Sequence, residues 1–252
     1  MTIFTCEHNW DAMLCCIYAA FQSKKGHKNI SLMLEPVYET TLFDEYIHVD
    51  ADAQTASKMR NGISNSISYY FYREMMYVSM TYEEDVLDNI YRCLLLGFNY
   101  GEEILNAVQY KNIMRHHEMK KRLENEVCRF REFIRFHEID KGIYVAHIEP
   151  KSPLVVALGP IFQDRMPSEH FVIVDDVHRE AIVHRKDRPF FMVTLTESEL
   201  ERLKETEEAN DSYTDLWKAF FESIAIEERK NEKCQLSHFP LWTRKHVVEF
   251  MG

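Results

Sequence analysis

The chain is poor in glycine and proline, with seven of each in 252 residues. Hinges and flexible linkers draw on those residues, so a string of loosely tethered domains is not expected. The sequence contains no G-x-G-x-x-G, no Walker loop, no H-E-x-x-H and no G-x-S-x-G. Dinucleotide cradles, P-loops, zincin helices and nucleophile elbows are therefore not signalled. H-x-E followed by P-C-x-x-C is missing too, which argues against a zinc nucleobase deaminase. The six cysteines (Cys6, Cys15, Cys16, Cys93, Cys128 and Cys234) include no C-x-x-C pair. That spacing suits neither a disulfide framework, a zinc ribbon nor an iron–sulfur cluster, and fits free thiols in a reducing compartment. No apolar run approaches the ~20 residues of a membrane span, and no basic segment precedes an apolar one at the N-terminus. A cytoplasmic protein without membrane attachment is expected. Excess positive charge is also lacking: the formal net charge is −11, so any nucleic-acid surface must be a local patch.

Hydrophobic periodicity organises what is there. Thr2 to Cys6 reads as a strand. Asn9 then caps a helix whose apolar residues, Trp10, Met13, Leu14, Ile17, Tyr18 and Phe21, recur at spacings of three and four. Ile30 to Leu34 and Glu45 to Val49 read as short strands, followed by helical stretches. The aromatic and methionine residues from Tyr69 to Met80 suit a core helix better than a cofactor box. Thr81 with Glu84, and Thr196 with Glu199, match the capping-box spacing.

Residues 129 to 185 show the clearest strand signals. Arg129 to Ile139 and Ile143 to Glu149 flank the turn Asp140-Lys141-Gly142 and read as a hairpin. His170 to Asp175 and Ala181 to Arg185 form a second pair, with a helix from Leu154 to Arg165 between the pairs. The expected fold class is α+β, with helical N-terminal and C-terminal parts around a central antiparallel β-β-α-β-β module. The expected regions are residues 1–80, an α+β region, and 81–252, the remaining helices with that module, together one compact unit.

Chemistry-bearing residues are scattered. His116-His117-Glu118 invites a metal reading, but neighbours on a helix point about 100° apart, so no metal is expected there. His137, His147, His170 and His184 fall in strands and read as core or solvated histidines. Asp175-Asp176 at a strand end suits a turn. The positive signal is charge. Lys111, Arg115, Lys120, Lys121, Arg122, Arg129, Arg131 and Arg135 stand against Glu118, Glu124, Glu126 and Glu132, giving this segment +4 and the remainder −15. On a strand, Arg131, Arg135 and His137 would share one face, opposite Phe130, Ile134 and Phe136. Such a face suits phosphate contacts or base stacking, while a solvated helix face with i,i+4 ion pairs explains the same charges.

Four runs together resemble a bacterial protein family: EVCRFREFIRF from Glu126, YVAHIEP from Tyr144, PIFQDR from Pro160, and HFVIVD from His170. The likeness extends to NWDAMLCCIYAAF and to the C-terminal FFESIAIEERKNEKCQLSHFPLWTRKHVVEF. Members of that family are assigned to DNA repair or DNA metabolism, are encoded beside a radical SAM protein, and occur fused to uracil-DNA-glycosylase-like domains. The matching positions are Glu126, Arg131, Phe133, Arg135, Phe136, Ala146, Glu149, Pro150, Phe162, Arg165, Arg229, Asn231 and Pro240. One departure is Ile161, where relatives often carry a histidine before the phenylalanine. The resemblance implies a DNA repair accessory with the radical SAM protein as partner, and supplies no catalytic residues.

The leading expectation is nucleic-acid binding through Arg129, Arg131, Arg135, Arg165, Lys120 and Lys121, with DNA or the radical SAM protein as partner. No cofactor and no metal is expected. A rival expectation is a DNA-processing enzyme, a nuclease or base-processing activity, with Glu149, Asp164 and Arg165 in one cleft. A third is an interaction scaffold whose acidic surface docks a basic partner.

Overall fold

The computed structural model describes residues 1–140, 142–207 and 231–247. Two compact units divide between Leu123 and Glu124, whereas the sequence reading placed a boundary after residue 80. Packing explains the later division. The helix that follows residue 80 packs on the strand Ile30–Leu34 and on both helices that precede it, so it belongs with the N-terminal region.

In the first unit, β1 (Thr2–Cys6) is the centre of a parallel sheet of order β2-β1-β3, with β2 at Ile30–Leu34 and β3 at Glu45–His48. Each residue of β1 is buried, as a central parallel strand requires. Parallel neighbours need a crossover, and α1 (Trp10–Gln22) supplies it between β1 and β2. The Asn9 side chain accepts from Ala12 N at 2.8 Å, the expected cap. Asp52 and Ser68 cap α2 (Ala53–Ser66) and α3 (Tyr69–Val78) in the same way. On α3, Phe71, Tyr72, Met75 and Val78 enter the core, while Tyr69 and Tyr70 stay exposed.

The first capping box does not form. α4 (Val86–Tyr100) begins five residues after Thr81, with Asp85 at its N-cap. Thr81 is fully buried, and its hydroxyl has no hydrogen-bond partner. The nearby acids are taken elsewhere: Arg115 binds Glu83 and Asp85 at 2.7 Å, and Arg122 binds Glu83. Core contacts of Val86, Leu87, Ile90 and Leu94, all fully buried, set the helix start instead.

The next helix corrects the hairpin reading. α5 runs from Lys111 to Phe133 without a break, so Arg129 and Arg131 are helical and Arg135 lies in the loop beyond. The run RFREFIRF alternates, but Phe130, Phe133 and Ile134 also sit three and four apart. A run this short fits either period. The buried stripe Ile113, Met119, Leu123, Val127 and Phe130 decides for the helix.

The second unit holds a sheet of order β4-β5-β6-β7-β8: His137–Asp140, Ile143–Ile148, His170–Asp175, Glu180–His184 and Phe191–Thr194. β4 and β5 form an antiparallel hairpin, and Gly142, with φ of 81°, takes the left-handed turn position. β5 and β6 then pair in parallel, from Ile143↔His170 to Ile148↔Asp175. The module expected to be antiparallel throughout thus contains one parallel pair. α6 (Val155–Arg165) carries the chain back to the starting end of the sheet, as any parallel pairing needs. The β6-β7 and β7-β8 pairs are antiparallel. Phe162 of α6 meets Phe136, which also packs edge-on against Phe171 of β6. α7 (Glu197–Glu207) starts at the second capping box, which forms as expected: Glu199 Oε2 accepts from Thr196 N at 2.9 Å. Its Leu200 packs with Val145, Val174 and Ala181. Asn231 caps α8 (Glu232–His238) through Cys234 N at 3.0 Å. The helix expected around Trp217 and the position Arg229 lie outside the described residues. The whole is a mixed α+β structure.

Candidate functional site

The parallel pairing places the carboxyl ends of β5 and β6 side by side. Glu149 follows β5, and Asp176 follows β6. Side chains alternate along a strand, so the two adjacent aspartates diverge. Asp175 turns inward and builds the β6-β7 turn, accepting from Val177 N at 3.0 Å, His178 N at 2.9 Å and His178 Nδ1 at 2.7 Å. Burial works against a charged His178, yet the Asp175 carboxylate raises its pKa above the ordinary histidine value. Asp176 points to the other side, where His147 Nδ1 lies 3.1 Å from its Oδ1. Both side chains are sealed from water, at 0% and 1% exposure.

The C-terminal segment completes the group. Pro240 ends α8 and leads into a tight turn, Leu241–Thr243, in which Thr243 Oγ1 donates to the Pro240 carbonyl at 2.7 Å. The Arg244 guanidinium bonds the Phe239 carbonyl at 2.8 Å and lies over its ring. These contacts hold Lys245 and His246 against the sheet end. His246 Nε2 is 3.5 Å from Glu149 Oε1 and 3.7 Å from Asp176 Oδ2, and the Lys245 ammonium binds Glu149. His147 lies between two other imidazoles, parallel to His137 at 6.1 Å and tilted to His246 at 6.0 Å.

A buried carboxylate anchors the segment bearing Glu149. Glu126 on α5 accepts from Lys151 N at 2.6 Å and from Ser152 Oγ at 2.8 Å. Burial raises its pKa above the ordinary glutamate value, and those bonds oppose the rise. Around the group, Arg129, Phe133, Arg135 and Trp242 wall a small cleft that also takes in His147, Glu149, Lys245 and His246. Its enclosed volume is about 10 Å³, the size of one water molecule or one ion rather than a nucleobase. Trp242 packs on Phe130 at 6.0 Å, with the Lys151 ammonium over its ring.

The residues singled out from sequence separate accordingly. Arg129, Arg135 and Glu149 line the cleft. Arg131 and Arg165 do not, though Arg165 Nη1 donates to the Arg131 carbonyl at 2.9 Å. Asp164 is exposed on α6 and also lies outside the cleft, so the expected grouping of Glu149 with Asp164 and Arg165 does not form there. Lys120 and Lys121 belong to the first unit, where Lys120 binds Glu74 at 2.7 Å and Lys121 is exposed. His116 is buried and His117 bonds the Leu105 carbonyl, the two rings meeting edge-on at 5.7 Å. Of the four strand histidines, His137 and His147 meet, while His184 stacks on Phe171 at 4.6 Å. His246 and Asp176 were missed as site residues. The available signal was Lys245-His246 beyond a proline break and the second aspartate of a pair.

Residues 84–249 match the DUF4130 domain of unknown function. The chain belongs to the DUF4130 family. The match covers every residue that walls the cleft, so the site lies wholly within the DUF4130 region. No curated protein matches the chain. Among the described residues, no helix of this DUF4130 protein is long and apolar enough to cross a membrane.

Proposed function

We propose that this DUF4130 protein is an accessory of DNA repair or DNA metabolism that binds nucleic acid through the basic surface around the cleft of its second unit, with phosphates rather than bases at the cleft itself. The observation that carries the reading is the convergence of Arg129, Arg135 and Lys245 with Trp242 on one small cleft. Guanidinium and ammonium groups meet phosphate oxygens, and the Trp242 indole, packed on Phe130 under the Lys151 ammonium, backs them as a rigid wall. Arg131 and Arg165, joined through the Arg131 carbonyl, supply further positive charge in the same unit. Several other cations of the basic segment serve the fold. Arg115, Lys120 and Arg122 are held by Glu83, Asp85 and Glu74, all in the first unit. The DNA context and the radical SAM partner rest on the sequence resemblance described above.

The test is fluorescence anisotropy with labelled single-stranded and duplex DNA between about 50 and 200 mM salt, the range over which phosphate contacts weaken steeply. Log affinity should fall linearly with log salt. Arg129→Ala with Arg135→Ala should reduce the slope by roughly two, about one per lost phosphate contact. Lys121→Ala should change it far less. An absence of binding at about 50 mM salt, where non-specific contacts are strongest, would overturn the reading.

A further inference from the structure

We infer that Glu149, Asp176 and His246 form a binding site for a divalent transition-metal ion. Their ligand atoms all lie within 4.8 Å of one another, the only such group of three or more among the described residues. An ion at about 2.1 Å from each of several donors holds those donors roughly 3 to 4 Å apart. The His246–Glu149 and His246–Asp176 separations of 3.5 and 3.7 Å already have that spacing. The enclosed volume beside the group, about 10 Å³, admits an ion or a water.

His147 is an independent observation. Its ring is fully buried and lines the same cleft, yet Nε2 has no hydrogen-bond partner. A buried nitrogen left unmatched is unfavourable unless something fills its place. Meanwhile Nδ1 is bonded to Asp176, and a second partner of that kind orients a ligating carboxylate. One side chain thus steadies a ligand while its other nitrogen stays buried and unmatched beside the site.

Charge points the same way. Two carboxylates share a largely enclosed position, and buried anions call for a cation. The Lys245 ammonium answers Glu149, but Lys245 is 62% exposed and tethered by a flexible stem, so it can swing out when a metal arrives. Imidazole mixed with carboxylate favours zinc, manganese or ferrous iron over magnesium or calcium, which take oxygen sets. The site does not depend on the nucleic-acid reading, because loss of DNA binding would leave these ligands in place.

Calorimetric titration of the full chain with Zn²⁺, and separately with Mn²⁺, tests the site, with Mg²⁺ for comparison. One equivalent should bind, with Zn²⁺ tighter than Mn²⁺ and Mg²⁺ weakest. Asp176→Asn and His246→Gln should each weaken Zn²⁺ at least tenfold, while Lys245→Met should tighten it by removing a competing cation. X-ray absorption of the zinc-loaded protein guards against loss of binding through misfolding. A first shell of nitrogen and oxygen supports the site; sulfur in that shell would assign the ion to a cysteine and overturn it. Zn²⁺ affinity unchanged in both ligand variants would overturn it equally. DNA binding measured on the same metal-free samples separates failure of this site from failure of the nucleic-acid reading.

Discussion

His147 and Asp176 come from different strands, 29 residues apart, and meet at 3.1 Å with neither side chain exposed. His147 Nδ1–H donates and the carboxylate accepts. The bond ties the carboxyl end of β5 to that of β6, at the point where the cleft opens. Asp176→Ala would leave the imidazole without its partner in a dry site. An expected loss of about 3 kcal/mol is typical of breaking one partner out of a buried polar pair. Urea denaturation checks this, and a loss below about 0.5 kcal/mol, the range of ordinary surface substitutions, would mean the bond does not hold the strand ends.

Glu126 is the second fastener. Glu126→Ala removes the acceptor for Lys151 N and for both the amide and hydroxyl of Ser152, which is fully buried. The expected cost is about 2–4 kcal/mol, from two or three buried donors left unmatched. Its raised pKa sets the sign of the pH effect. The contribution of Glu126 to stability is fullest below its unfolded value near 4.5 and declines as pH rises through the raised folded value. Glu126→Gln should remove that decline, which melts between pH 4 and pH 8 will show.

In the first unit, Glu74 behaves in the opposite way. The neighbouring His116 ring and the Lys120 ammonium hold its pKa down to about 2, against burial. His116 itself is pushed down by burial and lies 3.8 Å from Glu74, so Lys120, at 2.7 Å, is the firmer partner at neutral pH. A lowered carboxylate contributes stability above its unfolded value near 4.5 and loses it as pH falls towards 2. Glu74→Gln should therefore flatten the acid limb of the stability profile between those values while lowering the plateau at pH 7. An unchanged acid limb in the variant would contradict the assignment.

Thr81 offers a stabilising change. Its hydroxyl is buried beside α4 without a partner. Thr81→Val replaces that oxygen with a methyl group of similar size and should raise stability by about 1 kcal/mol, the lower range for relieving an unmatched buried polar group. A melting temperature that falls would show that the hydroxyl is satisfied by water.

Local signals carried much of the fold. Asn9 and the Thr196-Glu199 pair each bond the backbone as their spacing implies, and of the α1 repeat Met13, Leu14 and Ile17 are fully buried, joined by Ala12, Cys15, Cys16 and Ala20 outside it. These are short-range effects: a cap reaches three residues, and a helical stripe repeats within two turns. Arg129 to Ile139 shows where such signals fail. Its aromatic spacing satisfies two periods, and only the burial of Phe130 in line with Leu123 and Val127 chose the helix.

What the sequence determined by itself was most of the strands and helices, Arg129 to Phe133 excepted, and the presence of Glu149, Asp176, His147 and His246 in the chain. Only tertiary structure decided that they meet. Had β5 and β6 paired antiparallel, the end of β5 would lie beside the start of β6. Glu149 would then face Glu169, and Asp176 would stand about 23 Å away, seven residues at roughly 3.3 Å each. The parallel register brings Ile148 opposite Asp175 and so sets Glu149 and Asp176 at one end, and the C-terminal turn after Pro240 brings His246 to them. Strand direction is chosen by what packs on the sheet and by the return path of α6, which no local run of residues encodes.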